Sequence, residues 1–103
     1  MEDSFFIKKN DIDKIFSMLE EAHIEISNNR KIKNMELWTC VQADSKITLS
    51  YSQPEHWVDD PIRGNVYVIG LLTDFWRIFK KSKDRGLLTQ IMEILSPLRI
   101  DTR

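Results

Sequence analysis

The residues best suited to catalysis in this chain are Cys40, His56 and Asp59, with His23 as a second possible base. A nucleophile beside a histidine base that a carboxylate orients is the usual arrangement for covalent catalysis. Cys40, however, falls in the middle of a predicted strand, and cysteine is among the most often buried residue types. No glycine-rich turn surrounds it in the sequence. We therefore predict a packing role for Cys40, and a small Cys/His hydrolase is only the third functional hypothesis.

A metal or cofactor site has little support in the sequence. His56, Asp59 and Asp60 are possible ligands, but they lack the paired cysteines or histidines that are typical of protein metal sites. The chain has three glycines, and none of them belongs to a phosphate-binding loop. We expect no metal, no cofactor and no enzymatic activity.

A basic cluster in the last third of the chain is a second candidate site. Its members are Arg77, Lys80, Lys81, Lys83 and Arg85, with Trp76 nearby. Cationic side chains could contact phosphates, and an aromatic ring could stack on a base. Basic residues at the end of a helix also have an ordinary explanation in the helix dipole. A nucleic-acid-associated regulator that uses residues 77–85 is the alternative hypothesis.

The segment QPEHWVDDPIRG, residues 53–64, is the first candidate site. It places Glu55, His56, Trp57, Asp59 and Asp60 in a connection that is bracketed by prolines. Loops run over the surface and carry many binding residues. A rigid aromatic side chain flanked by carboxylates is typical of an anchor for a cationic partner. The opposite interpretation, with Trp57 folded back as a lid on the core, stays open at this stage.

The leading functional hypothesis is a non-enzymatic protein-binding domain whose acidic, tryptophan-bearing surface binds a basic protein. Its most concrete form is a bacterial immunity or antitoxin-like inhibitor that neutralises a cationic nuclease toxin. This hypothesis depends on small size, on charge layout and on the lack of catalytic motifs. Residues 63–103 hold eight bases and four acids, whereas the acids predominate in the first 62 residues.

Length and composition indicate a single domain over residues 1–103. Charged residues make up 30% of the chain with a net charge of −1, which is not typical of a disordered or DNA-coating protein. Cys40 is the only cysteine, as expected for a reducing compartment. The longest apolar run, residues 66–72, is much shorter than a membrane-spanning helix requires. We expect a cytoplasmic protein that does not enter a membrane.

Hydrophobic periodicity predicts most of the secondary structure. Apolar residues recur with helical spacing from Ile12 to Ala22, which predicts a helix over residues 11–23. Residues 27–30, Ser-Asn-Asn-Arg, are typical of a turn. Strict alternation from residue 35 to 42 and again from 45 to 52 predicts a β-hairpin.

The C-terminal half is more ambiguous. Residues 65–71 read as a buried strand, although the same residues could begin one long helix. We predict that strand, a helix over residues 74–82, and a last helix that Asp84 caps and that Ser96 and Pro97 end. The order of elements predicts an α+β fold with a small antiparallel sheet of about three strands and helices packed on one face.

Overall fold

The computed structural model describes the backbone of residues 2–61, 63–73 and 81–100 and the side chains of residues 4–61, 63–71 and 86–100. Within these ranges the strands are β1 (Glu2–Lys8), β2 (Glu25–Ile32), β3 (Met35–Gln42), β4 (Ser45–Ser52), β5 (Val66–Thr73) and β6 (Arg99–Ile100). The helices are α1 (Ile12–Glu21) and α2 (Lys81–Leu95).

The six strands form one antiparallel sheet in the order β2-β3-β4-β5-β1-β6. Strands β2 to β5 follow one another as a meander. Strand β1 comes first in the sequence but lies between β5 and β6. The chain therefore passes from β1 to β2 at the far edge of the sheet, and the meander from β2 to β5 brings it back to pair with β1. Side chains alternate between the two faces along each strand, and directly paired residues point to the same face.

One face of the sheet carries both helices, and we call it the covered face. Its buried side chains are Phe5, Ile7, Cys40, Ile47, Leu49, Tyr51, Ile69 and Leu71. Helix α1 adds Ile12, Ile15 and Leu19, and α2 adds Leu87, Leu88, Ile91 and Leu95. The helical spacing of these positions gives each helix one apolar stripe, and burial of the stripes against the sheet forms the core.

The other face carries no helix among the described residues, and we call it the open face. Strand alternation and register place there the side chains of Ser4, Phe6, Lys8, Glu25, Ser27, Arg30, Ile32, Met35, Leu37, Thr39, Val41, Lys46, Thr48, Ser50, Ser52, Val66, Val68 and Ile100, with Gly70 in the same layer. The β3 side chains on this face are half-buried, and Ile32 is 51% exposed.

The α+β class is confirmed, but the prediction of about three strands is wrong. The sheet has six strands, and roughly 45% of the structure is strand. The predicted turn at residues 27–30 lies inside β2, where the register of pairing with β3 shifts between Ser27 and Arg30. Asn28 takes a φ of 56° there. The turn-like residues therefore form a bulge in an edge strand, where they need no apolar partner.

Several local predictions are confirmed. Helix α1 and the β3–β4 hairpin lie where the periodicity placed them, and β5 replaces the alternative of one long helix from residue 65. Residues 74–80, which hold most of the predicted helix 74–82, lie outside the described residues. The predicted helix start at Asp84 is wrong, because α2 is already helical from Lys81. It ends at Leu95, immediately before Ser96 and Pro97. Neither described helix is long and apolar enough to cross a membrane.

Candidate functional site

The connection between β4 and β5, residues 53–65, is a folded loop that we call the acidic loop. It contains two short 3-10 turns, Glu55–Trp57 and Arg63–Asn65. The amide of Trp57 donates to the carbonyl oxygen of Pro54 at 2.9 Å, and the amide of Val58 donates to that of Glu55 at 3.2 Å. These local hydrogen bonds give the segment a defined backbone, as its two prolines favour.

Asp60 organises the second half of the acidic loop. Its Oδ1 accepts the backbone N–H of Arg63 at 2.8 Å, and its carbonyl oxygen accepts the N–H of Gly64 at 2.8 Å. The side chain of Gln53 donates to the carbonyl oxygen of Gly64, which links the two ends of the loop. Asn34, in the turn between β2 and β3, donates to the carbonyl oxygen of Gln53 and ties the loop to the neighbouring hairpin.

Trp57 lies on the open face of the sheet. Its ring packs against Phe6 with centroids 5.4 Å apart and planes tilted by 35°. The guanidinium carbon of Arg63 lies 5.8 Å from the centroid of the Trp57 ring, within the range of a cation–π contact. The ring is thus held between a strand residue and a loop residue, and it remains half-exposed. The two sequence interpretations, exposed anchor and core lid, each describe part of this arrangement.

The five predicted residues of the acidic loop differ in how far the structure exposes them. Glu55, His56 and Asp59 are exposed, whereas Trp57 and Asp60 are half-buried. Sequence reasoning missed Phe6 and Arg63, because their contacts with Trp57 depend on tertiary packing. It also missed Val58, which is 60% exposed beside the carboxylates. The sequence did contain a signal for Val58, which is an apolar residue between Glu55 and Asp59 in a loop.

Cys40 and His56 lie on opposite sides of the sheet. Cys40 is fully buried on the covered face, and burial raises the pKa of its thiol from 9.0 to about 12. His56 is in the acidic loop, next to a tryptophan that packs on the open face. A thiolate nucleophile requires a lowered pKa and an adjacent base, and Cys40 has neither a lowered pKa nor His56 beside it.

A shallow groove of about 520 Å³ lies at the end of α1 and is lined by Glu20, His23, Ile24, Glu25, Ile26 and Ser27. His23 follows the helix with a φ of 63° and is exposed. The groove is open to solvent, and its charged residues are all on the surface. Among the described residues, no group of three or more His, Cys, Asp or Glu side chains is placed to hold a metal ion.

A polar contact crosses the covered face between β3 and β4. The hydroxyl of Tyr51 donates to Oε2 of Glu36 at 2.9 Å, and Nδ2 of Asn29 donates to Oε1 of the same carboxylate at 3.2 Å. Burial, followed by the hydrogen bond to Glu36, raises the pKa of Tyr51 from 10.0 to about 12. A hydroxyl that donates to a carboxylate is favoured in its protonated form. The hydrogen bond from Asn29 joins edge strand β2 to the same carboxylate on β3.

The basic cluster is outside what the structure describes. Arg77 and Lys80 lie in the undescribed segment, and the side chains of Lys81, Lys83 and Arg85 are also outside the described residues. The nucleic-acid hypothesis therefore stays a prediction.

Comparison of this chain with known protein families, with curated proteins and with solved structures found no match.

Proposed function

We propose that this protein is a non-enzymatic protein-binding domain whose acidic loop contacts a basic partner protein. The observation that carries the proposal is the position of Trp57, which Phe6 and Arg63 hold in place while two exposed carboxylates, Glu55 and Asp59, flank it. Large aromatic side chains that lose little freedom on binding are frequent centres of protein interfaces. Exposed carboxylates around them favour cationic partners and speed their association.

The organisation of the loop supports this role. A hydrogen bond that Asp60 accepts and two that Gln53 and Asn34 donate fix the backbone before any partner arrives. A preorganised loop loses less conformational entropy on binding than a flexible one does. Val58, 60% exposed, adds apolar area next to the charges. Burial of the Val58 side chain under a partner would add a favourable hydrophobic contribution to the free energy of binding.

The concrete form of this proposal is an inhibitor of the immunity or antitoxin type that covers a cationic nuclease toxin. The exposed carboxylates of the acidic loop, Glu55 and Asp59, are its support. We place the protein in the cytoplasm in this proposal, because its one cysteine is a free thiol.

The test begins with affinity capture from the native host, with the products of neighbouring genes included. Each captured protein is then purified and its association rate is measured against wild type and against Glu55→Gln/Asp59→Asn. We expect the double variant to associate about tenfold more slowly at low salt and to lose most of its salt dependence. Glu20→Gln/Glu21→Gln, which removes two exposed charges from α1 on the covered side, is the matched control. Equal effects of the two double variants would contradict the proposal.

A further inference from the structure

We propose that the outer edge of β2 at residues 25–27, which we call the β2 edge, binds an extended basic peptide as an added strand of the sheet. β2 ends the sheet on one side, and no described strand pairs with its outer side. An extended peptide can add a strand to such an edge, where main-chain hydrogen bonds supply affinity and side-chain pockets supply specificity. Unpaired backbone groups, a groove and the charge around it support this site.

The backbone N–H and C=O groups of Ile26 point outward from the β2 edge. The two-residue turn between Gln42 and Ser45 makes these two residues a hydrogen-bonded pair. Bonded pairs alternate along an antiparallel ladder, so Val41 directs its own backbone groups to β2 and not to β4. Its partner on β2 is Glu25. Ile26, the next residue, therefore directs both of its groups away from β3, where an added strand would meet them.

A groove of about 520 Å³ lies beside these backbone groups, between the β2 edge and the end of α1. Its lining includes Ile24, which is buried, and Ile26, which is half-buried against the core. A strand added about 4.8 Å from β2 would place every second side chain on this side of the sheet. A lysine or arginine there can rest its apolar stem on Ile26 while its charged end stays in water.

The carboxylates around the β2 edge commit the site to a cationic peptide. Glu20 and Glu25 are both exposed, and neither forms an ion pair with a described cation. The last turn of α1 contains no basic residue, so Glu20 and Glu21 add negative charge to the negative end of the helix dipole. Glu20 follows α1 on the covered side, whereas Glu25 lies on the open face. Alternate side chains of a bound strand therefore have a carboxylate on either side of the sheet.

The bulge in β2 limits the site to a short segment. The register shifts between Ser27 and Arg30, and Asn28 has a φ of 56°, so a continuous ladder cannot pass this point. Arg30 and Lys31 follow the bulge and would repel the cations of a longer basic strand. The β2 edge therefore accepts a few residues of a peptide, and the long edge of a second sheet does not fit it.

The β2 edge is separate from the acidic loop, and the inference goes beyond the proposed function. Its residues lie near the turn between β3 and β4, whereas the acidic loop begins at the opposite end of β4. In the association experiment above, a partner that binds the loop is slowed by Glu55→Gln/Asp59→Asn. A partner that binds the β2 edge is slowed by Glu20→Gln/Glu21→Gln instead. The two proposals therefore fail separately.

The test uses the purified, isotope-labelled chain and an acetylated, amidated heptapeptide of alternating lysine and valine at low ionic strength. Titration followed by the amide chemical shifts of the protein gives both the affinity and the location of binding. Two further peptides have the same sequence and charge, one with N-methyl groups on its lysines and the other with N-methyl groups on its valines. Because N–H groups alternate between the two edges of a strand, one of these peptides places its methyl groups against β2.

We expect the heptapeptide to shift the amide signals of residues 24–27 and to slow the solvent exchange of the Ile26 N–H, which gains a hydrogen bond. One of the two methylated peptides should bind about tenfold more weakly than the parent peptide. Lack of binding up to millimolar peptide would overturn the inference. Equal affinity of all three peptides would also overturn it, because attraction between charges alone does not need the N–H groups. Shifts confined to the acidic loop would count against the β2 edge as well.

Glu20→Gln/Glu25→Gln tests the choice of a basic peptide. We expect this variant to bind the heptapeptide about fivefold more weakly than wild type does, because two exposed carboxylates beside the bound strand are lost. The matched control is Asp13→Asn/Glu93→Gln, which removes two exposed carboxylates from α1 and α2 and should leave the affinity unchanged. Equal affinity of the two variants would show that the carboxylates of the β2 edge do not select the peptide, contrary to the inference.

Discussion

The ring of Trp57 packs on the ring of Phe6 with centroids 5.4 Å apart, and this contact joins the acidic loop to strand β1. Phe6 pairs with Val68 across β1 and β5, so the contact lies over the centre of a long-range strand pair. Val66, at the start of β5 on the same face, is only 5% exposed. The acidic loop therefore stabilises the part of the sheet from which it projects.

Replacement of Trp57 by alanine should lower the free energy of unfolding by about 2 kcal/mol, less than for a fully buried aromatic residue, because the ring is half-exposed. Urea denaturation measures this change. Trp57→Phe keeps an aromatic ring over Phe6 and should lose less. If the alanine variant is as stable as wild type, Trp57 does not pack on the sheet in solution.

The sequence predicted the hairpin and α1 well because their apolar residues follow a clear period. It missed β2 as a strand, since most of its side chains are exposed on an edge and its central residues, Asn28 and Asn29, resemble a turn. The sequence shows no clear alternation in β1, because Phe5 and Phe6 are both apolar although they face opposite sides of the sheet. The local sequence pattern does not reveal that Phe5 packs in the core and that Phe6 packs against Trp57.

The candidate site was predicted only as a list of residues. Charge and loop position suggested Glu55, Trp57 and Asp59, but Phe6 and Arg63 are joined to Trp57 only by the folded chain. A sheet with helices on one face, as predicted, already implies a second face without helices. The extent of that face could not be predicted, because the sheet has six strands and not about three.

Native Cys40 should resist thiol reagents at pH 8. The side chain is fully buried and its pKa is raised to about 12, so the reactive thiolate is neither formed nor accessible. Labelling by iodoacetamide should occur only through opening of the core, and the rate should rise with urea. Rapid labelling of the folded protein would revive the hydrolase hypothesis. Cys40→Ala serves as the unlabelled control.

The free energy of unfolding should fall as the pH rises from about 9 to about 12. Below this window Cys40 and Tyr51 are protonated in both states and contribute no pH dependence. Within it the unfolded chain loses these protons at ordinary pKa values of 9.0 and 10.0, while the native state retains them to about 12. The unfolded state then binds fewer protons, so stability decreases.

Tyr51→Phe tests the contribution of the tyrosine to this alkaline loss. The variant should be about 1 kcal/mol less stable than wild type at pH 7, because the hydrogen bond to Glu36 is lost. Its stability should decline less steeply above pH 10. Urea titrations of both proteins at several pH values measure the two slopes. Parallel curves would show that Tyr51 ionises equally in the folded and unfolded chain.

Ala43→Gly should stabilise the protein by about 0.5 to 1 kcal/mol, because Ala43 has a φ of 53° in the turn between β3 and β4. Glycine takes this conformation without the steric strain of a side chain. Thermal unfolding measures the gain. Ala43→Val, with a branched side chain at the same φ, should have the opposite effect, and a loss of stability in both variants would argue against the described turn.

Gly64→Ala should disrupt the acidic loop. A Cβ atom at Gly64 would lie 2.7 Å from the carbonyl oxygen of Trp57 and 3.2 Å from that of Val58. Both are backbone atoms of the same loop, so the collision cannot be relieved by rotation of a side chain. The loop must open, with loss of the hydrogen bond from Gln53 to Gly64 and of the contact between Trp57 and Phe6.

We expect Gly64→Ala to cost about 2 kcal/mol of stability and to weaken binding of any partner that needs the acidic loop. Gly86→Ala is the matched control, since no atom of the described residues lies within 4 Å of a Cβ atom there and the residue is exposed in α2. Alanine should stabilise that helix by up to about 1 kcal/mol. Urea denaturation should therefore show a lower free energy of unfolding for Gly64→Ala and a higher one for Gly86→Ala, although both variants replace glycine by alanine. A Gly64→Ala protein with wild-type stability would mean that the backbone of the loop does not close on itself at this glycine.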